Sequence, residues 1–325
     1  MGDTRHTSDK TLKNADLCAD AVVFDGEREA RLKQLSIAEP GVQDVVVDID
    51  WAGVSTGTER LFWSGEMPPF PGLGYPLVPG YEAVGRVAWS ADPRALGRRV
   101  FVPGAQCFEG ARGLFGATAS RVTAPVQRIA FVDEFERPEE ATLLALAATA
   151  YHAIAAGEPP DLIIGHGVLG RLLARITIAL GAPAPVVWEL SPDRADADGY
   201  AVIEPEFDGR SDYSSIYDVS GDPTVLDDLI AHAARGAEIV LAGFYVDRPS
   251  FAFPPAFMKE IRLRIAAEWA PEDLQAVKRL VAARRLDFAG LISHRRPATE
   301  AADAYRTAFE DPACLKMILD WSASA

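Results

Sequence analysis

Asp161-Leu-Ile-Ile-Gly165-His166-Gly167-Val168-Leu169-Gly170-Arg-Leu-Leu-Ala-Arg175 sets the architecture of the chain: an apolar strand runs straight into a Gly-x-Gly-x-x-Gly turn, and an amphipathic helix follows. Each glycine has a mechanical task. Gly165 permits the tight turn, Gly167 lets phosphates approach the backbone, and Gly170 lets helix and strand lie close together. Val168 and Leu169 open the helix, where free N–H groups and a positive dipole end make a seat for a pyrophosphate. Such a turn also occurs as a plain connection, so its context matters. Pro185-Val-Val-Trp-Glu189 reads as a second buried strand ending in an acid, 24 positions after Gly165. A carboxylate there accepts hydrogen bonds from both ribose hydroxyls and repels a 2′-phosphate, so the expected cofactor is NAD rather than NADP.

Outward from this turn, candidate strands at 162–164, 186–189, 201–203, 216–219, 238–242 and 263–267 alternate with helical spacing, the βαβ signature of a doubly wound parallel sheet. Ligands of such sheets bind beyond the carboxyl ends of the strands, which makes Ser220, Gly221, Gly243 and Phe244 candidates for the nicotinamide half of the cofactor site; plain turn chemistry is the competing reading. The preceding part of the chain has another texture. Short apolar or alternating segments at Ala21-Val-Val-Phe, Val45 to Trp51, Ala83 to Trp89, Arg99 to Val102 and Ser120 to Ala124 are bounded by Gly, Pro and Asp, as in antiparallel β-structure. Residues 140–155 form an alanine-rich helix. The expected organisation is a polar lead (1–14), a β-rich domain (15–150), a dinucleotide-binding domain (151–290) and a C-terminal return to the first domain (291–325), with a helix near Ala301 to Phe309 and a last strand near Leu315 to Leu319.

With 325 residues, 49% hydrophobic and 24% charged, the chain is expected to be a globular enzyme of two domains. No run approaches a membrane span and the polar first residues do not resemble a secretory signal, so a cytoplasmic location is expected. A formal net charge of −15 argues against nucleic acid as a partner, since phosphate binding needs clustered Lys and Arg. Cys18, Cys107 and Cys314 are odd in number and far apart, which fits neither a disulfide framework nor a Cys-x-x-Cys metal site; buried, unreactive thiols are expected.

The order of a β-rich domain, an inserted dinucleotide-binding domain and a short return resembles the medium-chain dehydrogenase/reductase superfamily. Val54-Ser-Thr56-Gly-Thr58-Glu59 resembles its Cys-Gly-Thr-Asp segment, and Pro79-Gly-Tyr81-Glu82-Ala-Val-Gly85 its Gly-His-Glu-x-x-Gly segment. The resemblance implies an α/β fold: a GroES-like β-rich catalytic domain plus a Rossmann-type sheet. Both segments depart from the pattern at the metal ligands, with Thr56 and Tyr81 in place of Cys and His, and the four clustered cysteines of a structural zinc are missing. A hydroxyl and a phenol are poor zinc ligands, so no metal is expected. Longer words are more specific. Ser55 to Gly65, Met67 to Glu82, Ile164 to Arg175, Tyr217-Asp-Val-Ser-Gly-Asp222, Phe253-Pro-Pro-Ala-Phe-Met258 and Ala308-Phe-Glu-Asp-Pro312 are together similar to the 3-hydroxyethyl bacteriochlorophyllide dehydrogenases. That resemblance implies oxidation of a 1-hydroxyethyl group on a tetrapyrrole to acetyl, with NAD accepting the hydride.

On this resemblance Thr58 stands at the position of the superfamily's proton-relay hydroxyl, and Tyr81 replaces a zinc ligand in the same cleft. Both are candidates to meet the substrate alcohol, with Glu82 or His152 to pass the proton onward. Turn capping by Thr58, a pocket role for Tyr81 and a helix-face role for His152 are the structural alternatives. Thr149, on the same helix as His152, is a further cofactor candidate. Thr56, Glu59, Phe62, Trp63, Phe70 and Phe115 are candidates to line the substrate slot, in two loops whose flat apolar side chains would suit a broad macrocycle; covering their own domain's core is the alternative. Arg60 or Arg112 would meet a propionate, a solvated surface arginine being the alternative for each. His166 reads as a loop residue near the phosphates. Two other functions stay open, a zinc-free quinone or enoyl reductase and a cofactor-binding sensor or scaffold without catalysis. A homodimer through an edge strand near Ile261 to Trp269 is a superfamily habit; contact with a membrane or a pigment-handling enzyme is open.

Overall fold

The structure, a computed structural model, describes residues 17–69, 72, 74–113 and 115–322. The expected polar lead and Phe70 lie outside the described residues. The chain begins with a hairpin, β1 (Cys18–Gly26) and β2 (Glu29–Ser36), followed by β3 (Asp44–Val54) and the short helix α1 (Thr58–Ser64). Next come β4 (Ala83–Ser90), β5 (Arg99–Val102), β6 (Arg121–Pro125) and β7 (Ala130–Phe131). Helix α2 (Leu144–Ala155) leads into β8 (Leu162–Ile164), α3 (Val168–Ala179), β9 (Val186–Trp188), β10 (Ala201–Ile203) and β11 (Tyr213–Asp218). They are followed by α4 (Leu226–His232), β12 (Ala233–Leu241), α5 (Phe253–Lys259), β13 (Arg262–Ile265) and α6 (Pro271–Ala282). The return consists of β14 (His294–Pro297), α7 (Ala301–Glu310) and β15 (Met317–Asp320).

Six strands form one sheet in the order β10-β9-β8-β11-β12-β13, every pair parallel. Numbered within this unit the order is 3-2-1-4-5-6, the arrangement that opens a crevice where the strand order reverses, between β8 and β11. Side chains alternate across it as the pleat requires. Ile163, Val187, Tyr217 and Val240 face a core built with α2, α3 and α6, while Leu162, Ile164, Ile216 and Ile239 face α4 and the Ala256 side of α5.

The other sheet has seven strands in the order β14-β15-β3-β4-β5-β7, with β6 also paired to β3. Strand β3 is its axis, because β15, β4 and β6 all pair with it antiparallel. The C-terminal return is thus an interior strand of the first sheet, with Leu319 opposite Ala52 and Met317 opposite Val54. Its side chains Met317, Ile318, Leu319 and Trp321 are buried. Val84, Phe101, Val132 and Phe135 from this half share one core with α2 and α3. Helix α2 runs unbroken across residue 150, where the sequence reading put a boundary, because its alanines are covered on several sides and leave no exposed turn at which to break.

Leu319→Ala removes a fully buried side chain from a strand paired on both edges. The expected loss is about 2–5 kcal/mol of unfolding free energy, read from chemical denaturation; a loss within the scatter of surface substitutions would deny the return its structural role.

Candidate active site

The turn after β8 has the geometry its glycines require. Gly165 has φ +95°, and a Cβ on Gly170 would lie 1.9 Å from the Gly165 carbonyl oxygen, so the first and third glycines are demanded by the fold itself. Gly167 differs: a Cβ there would meet nothing within 4 Å, which leaves its open side for a ligand. No side chain caps α3, so the N–H groups of its first turn, including those of Val168 and Leu169, stay available. Glu189 lies beside this turn. Its carboxylate accepts from the His166 N–H at 2.9 Å and from the Leu190 and Ser191 N–H groups at 3.0 and 2.9 Å. A cleft of about 270 Å³ opens next to it, walled by Leu190, Ser191, Val202, Ile203 and Phe207.

The loops after β11 and β12 close the other side. Ser220 approaches Gly165, and a Cβ on Gly221 would meet the Phe244 carbonyl oxygen at 2.9 Å and one on Gly243 the Gly221 nitrogen at 3.1 Å. The residue that pins them was missed in the sequence. Asp218, fully buried, accepts from the Ser220 N–H and hydroxyl at 2.8 and 2.6 Å and from the Tyr245 hydroxyl at 2.6 Å. Burial raises its carboxyl above the ordinary range even against these donors. Its only signal was its place in Tyr217-Asp-Val-Ser-Gly-Asp222. Thr149 does not join this group; its hydroxyl donates to the Ala145 carbonyl one turn back in α2.

His166, read as a loop residue near the phosphates, is entirely buried. Its Nδ1 faces the Arg194 carbonyl, which can only accept, so the proton sits on Nδ1 and Nε2 accepts from the Tyr200 hydroxyl at 2.8 Å. The neutral imidazole fastens the loop after β9 beneath the glycine turn. Burial lowers it from the usual 6.5 to about 4.

Across the crevice the Tyr81 phenol donates to Ser55 Oγ at 2.5 Å, with the Thr58 hydroxyl near the same phenol. Burial, and after it the charge of Glu82, pushes the phenol far above its ordinary range, so Tyr81 keeps its proton. Phe115 stands edge-on to Tyr81 at 5.0 Å between ring centres, and Phe62 to Phe115 at 6.1 Å. Thr56 is half-buried at the start of this segment. The structure therefore brings Ser55, Thr58, Tyr81, Phe115 and Phe62 together.

Four candidates point elsewhere. Glu59 is fully buried and accepts from the Tyr305 hydroxyl at 2.9 Å; it is not a substrate-lining residue, because α1 turns it away from Thr58 into the core. Glu82 is equally buried and forms an ion pair with Lys316, the strand alternation turning it to the opposite face from Tyr81. Trp63 is buried against Phe309 at 5.3 Å, with the Arg28 guanidinium over its ring, so it closes a core. His152 pairs through Nδ1 with Asp273 at 2.8 Å, and that carboxylate also accepts the Ala270 N–H at the start of α6. The imidazole thus belongs to the α2–α6 contact. Cys107 and Cys314 are buried, and burial pushes the Cys107 thiol up to about 11.

No protein-family model matches the chain. It is 55% identical over 315 residues to 2-desacetyl-2-hydroxyethyl bacteriochlorophyllide A dehydrogenase of Cereibacter sphaeroides, covering 94% of this chain and 99% of that protein. The protein of the same name from Rhodobacter capsulatus is 55% identical over 306 residues, covering 92% and 97%. The chain belongs to the bacteriochlorophyllide dehydrogenase family. The fold is also that of L-idonate 5-dehydrogenase from Escherichia coli, at TM-score 0.81 and 20% identity over 94% of this chain and 98% of that one.

The donor set at the cleft is poor in zinc ligands. Thr56 and Tyr81 stand where zinc-dependent enzymes of this fold carry thiolate and imidazole, and the phenol is held protonated. Among the described residues no group of three His, Cys, Asp or Glu side chains is placed to hold a metal. These residues do not fit zinc. The glycine turn, the open side of Gly167 and the Glu189 cleft do fit a dinucleotide.

The buried His166 gives a pH prediction. The unfolded chain takes up a proton on this residue as pH falls below about 6.5 and the folded chain only near 4, so its contribution to stability is present above 6.5 and lost between those values. His166→Gln should lose about 2 kcal/mol less than the parent between pH 7 and pH 4.5 in denaturant titrations. Equal losses in both proteins would show that the imidazole is not kept neutral.

Proposed function

We propose that this protein oxidises the 1-hydroxyethyl side chain at ring position 3 of a chlorophyllide or bacteriochlorophyllide to acetyl, with NAD as hydride acceptor and without zinc. The observation that carries the reading is the Tyr81–Ser55 hydroxyl pair with Thr58 close by, walled by Phe115, in a chain that also carries the glycine turn and is akin to bacteriochlorophyllide dehydrogenases over nearly its whole length. A secondary alcohol becomes a ketone by losing a hydride from carbon and a proton from oxygen. NAD, when bound, supplies the acceptor for the hydride. Gly165, Gly167, Gly170 and the first turn of α3 hold the pyrophosphate, Glu189 the adenosine ribose, and Ser220, Gly221, Gly243 and Phe244 border the nicotinamide end. Thr58 accepts a hydrogen bond from the substrate hydroxyl and relays the released proton to solvent water, and Tyr81, which donates to Ser55, fixes the hydroxyl face against which the alcohol lies. Phe115, backed by the buried Phe62, covers the flat ring.

No helix of the described residues is long and apolar enough to cross a membrane, and we place the reaction in the cytoplasm. The active form is a homodimer joined at β13, which among the described residues pairs on one edge only, with β12, and leaves Ile265 71% exposed. Ile265→Asp should sediment as a monomer beside a dimeric parent; unchanged sedimentation would remove this edge from the interface.

The decisive assay mixes the purified protein, NAD and a 3-(1-hydroxyethyl) pigment. The absorption band should shift as the new carbonyl conjugates with the ring, while NADH forms in equal amount and a zinc chelator changes nothing. Thr58→Ala and Tyr81→Phe should each lower turnover by about a hundredfold with NAD binding retained. Full turnover in both variants would overturn the proton path, and zinc lost together with activity would overturn the metal-free reading.

A further inference from the structure

Two segments meet at the cleft, and each carries the same device. In Thr58–Glu59 and in Tyr81–Glu82 the first residue presents a hydroxyl to Ser55 and its neighbours, and the next sends a carboxyl into the interior, where both acids are essentially sealed from water. Both inner partners come from the C-terminal return. Tyr305 on α7 donates to Glu59 at 2.9 Å, and Lys316, one residue before β15, pairs with Glu82. All four side chains are at most 1% exposed. The backbone is built around the pair. A Cβ at position 53 would lie 2.2 Å from a Glu82 carboxylate oxygen and 3.2 Å from Lys316 Cε, and the chain has Gly53 there, donating its N–H to the Glu82 carbonyl at 2.8 Å. The Lys316 backbone is held in turn by Ser293, whose hydroxyl accepts the Lys316 N–H at 3.1 Å.

A sealed ion pair is a poor source of stability, since withdrawing both charges from water offsets their attraction. Here two carboxyls face one ammonium, and no hydrogen-bond partner meets Glu59 Oε1 or the Lys316 ammonium beyond its ion pair. Burial, with Glu82 nearby, pushes Glu59 up to about 8. The cluster is costly for the fold, so its position is where its use lies. It sits directly behind the Thr56–Glu59 and Tyr81–Glu82 segments, which carry the two positions, Thr56 and Tyr81, that a shared metal would join in a zinc enzyme of this fold.

We propose that Tyr305 and Lys316 are positioning residues that hold the Thr58 and Tyr81 segments from beneath, the return strand doing by clamping what a bridging metal ion does elsewhere. Ser55 lies between the two clamped segments, its hydroxyl accepting from Tyr81 and its backbone close to the Glu59 carboxyl. The proposal rests on the reading that Thr58 and Tyr81 face the substrate alcohol.

The test uses the full-length protein in four forms: parent, Tyr305→Phe, Lys316→Met, and the double variant Lys316→Gln with Glu82→Gln, a neutral pair of similar length. In Tyr305→Phe and Lys316→Met, kcat should fall about tenfold or more while KM for the pigment and Kd for NAD stay within about threefold. The neutral pair should regain most of the loss. Incorporated fluorotyrosine, its Tyr81 resonance assigned with Tyr81→Phe, should move in Lys316→Met and return toward the parent position in the double variant. Unchanged kcat and an unmoved Tyr81 resonance in folded Lys316→Met and Tyr305→Phe would overturn the proposal. So would a double variant that regains thermal stability with kcat still as low as in Lys316→Met, since the pair would then act by charge rather than placement. A parent protein that leaves the pigment unchanged would sink the proposed function alone, and the resonance would still decide the clamp.

Discussion

The pairing of β15 with β3 is the constraint on which both halves of the cleft depend. It carries the last strand of the chain into the middle of the first sheet, after the whole parallel-sheet unit has been made, and it delivers Lys316 and α7 to the back of the Thr58 and Tyr81 segments. A sheet interior allows no slippage, because a shift of one residue would turn every buried side chain of β15 to the other face. The register that sets Leu319 opposite Ala52 therefore also sets where the ammonium of Lys316 arrives.

The crevice itself is fastened by a different kind of contact. The loops after β8, β9, β11 and β12 are short and approach one another by backbone, with Gly165 against Ser220 and Gly221 against Phe244 and Gly243. Loops so close have little room for side chains, so their order comes from buried polar pins set just behind them. Asp218 gathers Ser220 and Tyr245, and the neutral His166 gathers Arg194 and Tyr200. His166 is buried in the neutral form that burial favours, which lets it act as a hydrogen-bond fixture without placing a charge near the phosphates.

The parallel sheet was legible in the sequence because its signals are local: apolar runs, helical spacing and a glycine pattern whose first and third members the backbone geometry demands. The β-strands of the first half were legible for the same reason. What escaped was direction and long-range partnership. Glu59 and Glu82 each adjoin a residue of the cleft, and only the turn of α1 and the alternation of the strand reveal that they face the other way. Tyr305 lies 246 positions from Glu59, and Lys316, flanking an apolar strand, has the look of a solvated lysine. Trp63 and Phe62 are neighbours of one type in one loop, yet α1 sends Trp63 to Phe309 and Phe62 toward Phe115. His152 was legible as a helix-face histidine, and its partner Asp273, on another helix, was not.

These features bear on why such a chemistry would manage without a Lewis acid. A metal acidifies an alcohol and ties two protein segments together at once, and the two tasks are separable. On the proposed function, the substrate's own conjugated ring eases the loss of hydride at the adjoining carbon, which removes much of the need for acidification. What remains is placement, because a hydroxyl chain moves a proton efficiently only when its members stay within hydrogen-bond reach through the reaction. A clamp built from the end of the chain meets that need with side chains that never touch the substrate. It also restricts the enzyme: an unactivated alcohol, lacking a ring to share the developing charge, would find the placement without the electronic help and would react slowly.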